Sequence, residues 1–147
     1  MKRLYGVGIV LLLALGLVST PAEAQQPGKP GGQPTGQLKP NYPNPFNPET
    51  RIPFTLPEEL FKSGRPVVVT ITIYTQLIQL VAYPQALNHP EGNGVKIDRL
   101  EYTAPGDYVA YWNGVDKFGN KVASGLYFAW LEVNGVRSKP IRLLVAN

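Results

Sequence analysis

Reactive side chains are few in this sequence, and their spacing sets how much chemistry it can carry. There is no Cys, which removes thiolate metal sites, cysteine nucleophiles and disulfides together. His89 is the single histidine, set in a loop punctuated by Pro and Gly, where solvent exposure is the ordinary case. A Ser–His–Asp triad needs its imidazole oriented by an acid, and nothing in the local sequence supplies that partner. The acids are scattered. Only Glu58 and Glu59 adjoin, and neighbours in sequence do not make a general acid–base pair. Glycine-rich phosphate loops are missing too. The sequence reads as non-enzymatic, with no cofactor, no metal centre and no small-molecule substrate.

One polar loop invites a second reading. Asn113, Asp116 and Asn120, with Gly114 and Gly119 between them, offer the oxygen ligands that calcium prefers. Their spacing does not match the known calcium-loop pattern. Asn, Asp and Gly are also what tight turns use for their own backbone bonding, and the turn reading is preferred. The positive charge, +4 overall, is diffuse. Lys62 and Arg65, Lys117 and Lys121, and Arg137, Lys139 and Arg142 are small groups on separate segments. Nucleic-acid binding normally shows a denser basic stripe, so that partner is not expected. Arg137 and Lys139 alternate with Val136 and Ser138 as a solvated strand face, which also discourages edge-to-edge pairing.

The elements that would position these residues follow from composition. The chain has 147 residues with 15 Pro and 15 Gly, 44% hydrophobic and only 16% charged. That is enough apolar content for a core but poor material for helices, whose interiors tolerate neither Pro nor Gly well. Residues 1–24 have the build of a signal peptide. Lys2 and Arg3 precede the apolar run Leu4 to Val18, and Ala22-Glu23-Ala24 supplies a small-x-small cleavage pattern. The run has 15 residues, short of the roughly 20 that span a bilayer. The expected mature chain begins at Gln25. Residues 25–40 (QQPGKPGGQPTGQLKP) hold one aliphatic side chain, Leu38, and are expected to form a mobile linker.

From Asn41 the character changes. In Asn41-Tyr42-Pro43-Asn44-Pro45-Phe46-Asn47-Pro48 each Pro fixes its own φ and biases the preceding residue toward extended geometry. The stretch is a stiff strap, with Tyr42 and Phe46 as plugs against a core edge. Strands follow at Ile52 to Leu56, with Pro53 suggesting an edge position, and at Val67 to Tyr74, where Val67, Val69, Ile71 and Ile73 share one face. Further strands are expected at Leu77 to Tyr83, weakly at Val95 to Tyr102, and at Tyr108 to Trp112. The last two are Gly125 to Val133 and Val136 to Val145. Pro84 to Asn93 and Asn113 to Ser124 read as loops, and Asn134-Gly135 as a two-residue hairpin turn. About seven strands at this spacing predict an all-β sandwich of immunoglobulin or fibronectin III kind over residues 41–147, with Trp112 buried beside Tyr127.

Several of these stretches together resemble the C-terminal sorting domains of the type IX (Por) secretion system. The shared stretches are Asn41 to Thr50 with Ile52 to Pro57, the strand ending Ile73-Tyr74, and Trp112-Asn113-Gly114 with Asp116 and Gly119. Val122-Ala123-Ser124-Gly125-Leu126-Tyr127-Phe128 and the terminal Lys139-Pro140-Ile141-Arg142-Leu143-Leu144-Val145 complete the match. The second half also resembles the immunoglobulin-like domain of flagellar hook-capping proteins. The resemblance implies an exported, non-enzymatic module that mediates outer-membrane translocation and cell-surface attachment. It further implies recognition through Lys139, Ile141, Arg142, Leu143, Leu144 and Val145 together with the Ser124 to Phe128 arm. Its partners would be the outer-membrane secretion machinery or other surface proteins, with self-association open. The alternative is a structural or adhesive extracellular protein in which the sandwich itself is the product.

Overall fold

A computed structural model of the chain describes residues 34–147. The expected signal peptide and most of the Pro/Gly lead lie outside the described residues. The described chain is an all-β sandwich of two antiparallel sheets. Its strands are β1 (Gln37–Leu38), β2 (Thr50–Leu56), β3 (Val67–Thr75), β4 (Leu80–Ala82), β5 (Gln85–Leu87), β6 (Leu100–Tyr102), β7 (Gly106–Trp112), β8 (Gly125–Val133), β9 (Val136–Arg137) and β10 (Ile141–Val145). One sheet runs β1–β2–β7–β5. The other runs β10–β8–β3–β4, with β6 also on β3 and β9 on β8.

The period-2 alternation of the sequence builds the core. Val67, Val69, Ile71 and Ile73 of β3 are fully buried and face Ile52, Phe54 and Leu56 of β2, also fully buried. β8 contributes Ala129, Leu131 and Val133, and β10 contributes Leu143 and Val145. Phe54 stacks on Tyr108 at 5.7 Å and meets Tyr102 edge-on at 5.8 Å. On the outer face of the larger sheet Tyr74 and Trp130 pair edge-on at 4.9 Å, and the Arg137 guanidinium lies 5.8 Å from the Trp130 ring. The Asn134-Gly135 turn has φ of +49° and +82°, the signature of a type I′ hairpin.

Several sequence expectations are corrected, each for a local reason. The mobile lead does not reach Pro40: Gln37 and Leu38 pair with Thr55 and Phe54, and Leu38 is buried. Pro53 does not mark an outermost strand, because β2 lies between β1 and β7. Its carbonyl accepts from the Lys39 amide on the β1 side, which is where its missing N–H would have pointed. The ladder to β7 therefore loses nothing. The strand expected over Leu77 to Tyr83 shrinks to β4, since Thr75 folds the preceding residues into a turn. Its Oγ1 accepts from the Leu77 and Gln79 amides, both at 3.2 Å. The loop expected over Pro84 to Asn93 contains β5, and of the strand expected over Val95 to Tyr102 only β6 forms a strand, while Lys96 makes a single antiparallel bridge to Gln85 of β5. The expected last strand is interrupted. Glu132 pairs with Arg137 but Ala129 with Ile141, so one extra residue bulges around Pro140, which has no N–H to give.

Both long sides of the sandwich are closed. On one side Tyr42 pairs with Arg51 beside β2, and the chain then crosses to β10, where Phe46 pairs in parallel with Val145. On the other side the Ile71 amide donates to the Ile97 carbonyl, while Ile97 donates to Pro84 and Ala86 to Val95. Residues 95–97 thus tie β3 to β5.

Candidate functional site

The stiff strap and the terminal strand, far apart in sequence, meet at one edge. Phe46 donates its amide to the Leu144 carbonyl and accepts from the Ala146 amide, each at 3.0 Å. Asn44 completes the edge with its side chain. Its Oδ1 accepts from the Leu144 amide at 3.1 Å, and its Nδ2 reaches the Arg142 carbonyl at 3.5 Å. The outward backbone of Leu144 is thereby paired on both groups. An edge strand with unpaired N–H and C=O groups is a template for other chains, and here a carboxamide and one strap residue cover it.

The strap is held by a small polar network and an aromatic wedge. Asn41 Nδ2 donates to Thr50 Oγ1 at 2.9 Å and to the Pro43 carbonyl at 3.2 Å, and the Thr50 hydroxyl donates to the same carbonyl at 3.0 Å. Both side chains are buried, so each bond stands in place of lost hydration. Phe46 is buried edge-on against Trp112 at 5.3 Å, and Trp112 against Tyr127 at 5.8 Å. The expected Trp112–Tyr127 neighbourhood is present. Tyr42, in contrast, is 50% exposed, so only one of the two expected plugs enters the core. Pro43, Pro45, Asn47 and Pro48 are exposed, and Pro48 supports the loop that follows β7. A methyl at Gly114, whose φ is +72°, would stand 2.5 Å from the Pro48 carbonyl oxygen.

The Asn113 to Asn120 loop is built as a turn. Asp116 Oδ1 accepts from the Phe118 and Asn120 amides, both at 2.9 Å, and the Asp116 amide donates to the Asn120 carbonyl at 2.8 Å. Asn113 Oδ1 accepts from the Val115 amide at 3.3 Å, Trp112 Nε1 donates to the Val115 carbonyl, and Gly119 takes φ +88°. Ser124 Oγ accepts from the Asn147 amide at 2.9 Å, and Gly125 turns the chain into β8 at φ +148°. Tyr127 donates its hydroxyl to the Ala123 carbonyl, and burial pushes its phenol above the usual range. Most of the resemblance motif therefore has a fold-building task.

The expected recognition surface narrows. Leu143 and Val145 are 0% and 3% exposed because alternate residues of β10 face the core. They cannot touch a partner while the domain is folded. Lys139, Arg142 and Leu144 face outward and Ile141 is half-buried. His89 also departs from expectation: it is buried, with Nε2 bonded to the Glu101 carbonyl at 2.8 Å, while Nδ1 accepts from the Glu91 amide. A cleft of about 240 Å³ opens between Tyr83, Lys96, Tyr111, Asn113, Asp116 and Lys117. Its acid is engaged by backbone amides, and the Tyr111 hydroxyl donates to Glu49, which pushes that phenol upward. Among the described residues no three His, Cys, Asp or Glu side chains converge as metal ligands. The edge-capping role of Asn44 was not anticipated. Its signal is an Asn flanked by prolines, a residue able to imitate a backbone partner where neighbours donate nothing.

No family model matches the chain, and no curated protein matches it. Among solved structures it is similar to dimeric latent PorU from Porphyromonas gingivalis, with a TM-score of 0.52 at 17% sequence identity. The match covers 76% of this chain and 9% of that one. At this identity the likeness shows a shared β-sandwich fold.

Proposed function

We propose that this chain is a non-enzymatic exported module of the type IX sorting kind, carried across the outer membrane and held at the cell surface. The observation that carries the reading is the junction of strap and terminal strand. Two of the segments that carry the sequence resemblance are joined through Asn44 and Phe46. The strap covers the Leu144 end of that edge, leaving Arg142 and Leu144 as the outward face of β10 with exposed Lys139 just before it. That face offers two cations beside one aliphatic side chain, suited to a partner with acidic and apolar groups. The similarity to PorU, whose name carries the Por designation of that system, supports the same reading.

The test is export of the full chain with a reporter inserted after Ala24, in a bacterium possessing this secretion route. The reporter should reach the surface or medium. Substituting Lys139 and Arg142 together with Gln should trap it in the periplasm while the purified domain still melts near the parent temperature. Equal export in a strain lacking the outer-membrane translocation machinery would exclude the sorting reading. It would favour the structural alternative, in which the sandwich is the product.

A further inference from the structure

Two turn tips at the strap end of the sandwich carry side chains that the fold does not need outside. Leu77 is 80% exposed, Ile78 60% and Phe118 77%. Leu77 and Ile78 cap the β3–β4 turn, and Phe118 tops the turn after β7. The two are adjacent: the Lys117 amide donates to the Val81 carbonyl at 2.7 Å. Between them lies a groove of about 310 Å³ lined by residues that include Thr75, Leu80, Val81, Lys117, Phe118 and Lys121.

Neither tip is a loose loop. Thr75 Oγ1 holds the Leu77 and Gln79 amides, and the Ile78 amide donates to the Thr75 carbonyl. Asp116 fixes the second tip through two amides. Ile78 sits at φ +60°, a region that Gly, Asn or Asp occupies at little cost and a β-branched residue does not. A residue unfavourable there both for backbone and for hydration points to a use outside the fold. The charge at the groove is net positive. Lys117 and Lys121 line it with a single acid, Asp116, whose Oδ1 is taken up by the Phe118 and Asn120 amides. The Lys117 ammonium lies 5.1 Å from the Phe118 ring centre.

From these features we propose that this end docks on an anionic lipid bilayer, with Leu77, Ile78 and Phe118 entering the headgroup boundary and Lys117 and Lys121 meeting lipid phosphates. Convex tips favour a bilayer over a protein. A stable protein interface covers roughly 800 Å² on each partner, far more than three side chains on two turns offer. A fluid interface, in contrast, admits isolated apolar tips ringed by lysines.

The chain has no Cys, so I78C in the full chain takes a single environment-sensitive fluorophore. A second protein carries the label at S63C, beyond the opposite end of β3. With vesicles of equal parts phosphatidylcholine and phosphatidylglycerol, the label at 78 should shift to the blue and brighten, while that at 63 stays unchanged. Phosphatidylcholine alone should give little response. Attachment through the apolar run Leu4 to Val18 would bring the chain to the vesicle without shifting residue 78 selectively. In the I78C background, Leu77→Ser or Phe118→Ser should each weaken the response about tenfold. Lys117→Gln or Lys121→Gln should each weaken it about fivefold. Near-ultraviolet circular dichroism checks that these variants remain folded. Three results overturn the proposal: no shift at 78, an equal shift at both positions, or the same shift in phosphatidylcholine alone. A shift that grows with protein concentration in the absence of lipid also overturns it, in favour of self-association.

Discussion

One long side of the sandwich is closed by a proline-stiffened strap, residues 41–48, and the other by a connector, residues 84–99. The strap works through side chains. Asn44 imitates a strand at the β10 edge, Asn41 and Thr50 share the Pro43 carbonyl, and Phe46 fills the gap under Trp112. The connector works mainly through its backbone, linking Ala86 to Val95, Ile97 to Pro84 and Ile71 to Ile97. Its chief side-chain contributions are the buried Ile97 and the bridging His89. A closure made by side chains demands particular residues at particular positions. A closure made by backbone accepts many sequences. The strap end is accordingly the end with a motif.

The comparison breaks most sharply at the apolar anchor of each closure. Phe46→Ala should cost about 3–5 kcal/mol and Ile97→Ala about 2–5 kcal/mol in denaturant unfolding. The size matters less than where the damage appears. Hydrogen exchange at the Ala146 amide should accelerate in the Phe46 variant and stay near the parent rate in the Ile97 variant, if the closures are independent. Next in size is Gly114→Ala, which adds a methyl 2.5 Å from the Pro48 carbonyl at a φ of +72°. Strain there should lower stability by roughly 1–3 kcal/mol. A neutral result in thermal melting would mean that Pro48 can move aside, and that the strap is softer than its three prolines suggest.

Legibility in the sequence follows the same division. The long strands were readable because Val67, Val69, Ile71 and Ile73 of β3 recur at period 2 and β8 is a nine-residue run rich in aromatic and aliphatic side chains. The Asn134-Gly135 turn was readable because only residues tolerant of positive φ fit it. Burial of Trp112 beside Tyr127 was readable too. The connector was not, since its one strand, β5, has only three residues and leaves no period to detect, while of the weakly alternating stretch Val95 to Tyr102 only the end forms a strand, β6. His89 in a Pro- and Gly-marked stretch carries no local sign that Glu101 and Glu91 hold its ring. On β10, listing Lys139 to Val145 as one surface overlooked the alternation that sends Leu143 and Val145 inward. The boundary of the lead was missed because Leu38 is a lone apolar residue. It is buried only because β2 offers it an open edge, a fact of topology and not of the local sequence.

Smaller perturbations refine the contrast. His89→Ala empties a buried site and removes its two bonds, to the Glu101 carbonyl and from the Glu91 amide, and should cost about 1–3 kcal/mol, with Asn44→Ala nearer 0.5–1.5 kcal/mol because water can replace the exposed carboxamide. The second is better read by exchange: the Leu144 amide should lose protection while that of Leu143, bonded to β8, keeps it.

The smallest effect is electrostatic and ties the lead to the strap-side sheet. Asp107 on β7 accepts from the Thr55 hydroxyl at 2.6 Å and from Lys39 Nζ at 3.0 Å. The Thr55 bond first, and the Lys39 bond and charge after it, hold the Asp107 carboxyl below the usual carboxylate range. A depressed folded-state value means that the unfolded chain binds the proton more tightly. The contribution is therefore fully present above the ordinary carboxylate value of about 3.9 and fades as pH falls through the lower folded-state value. Above that window it is constant, so melting temperature near neutral pH should not report it. Asp107→Asn should flatten the acid limb of stability against pH slightly. Lys39→Gln should remove only the salt-sensitive part, since an exposed pair is screened while the Thr55 bond is not. If both variants flattened the limb equally, the Lys39 charge would be the main cause, and the lead strand would be fastened by charge instead of by its two-residue ladder.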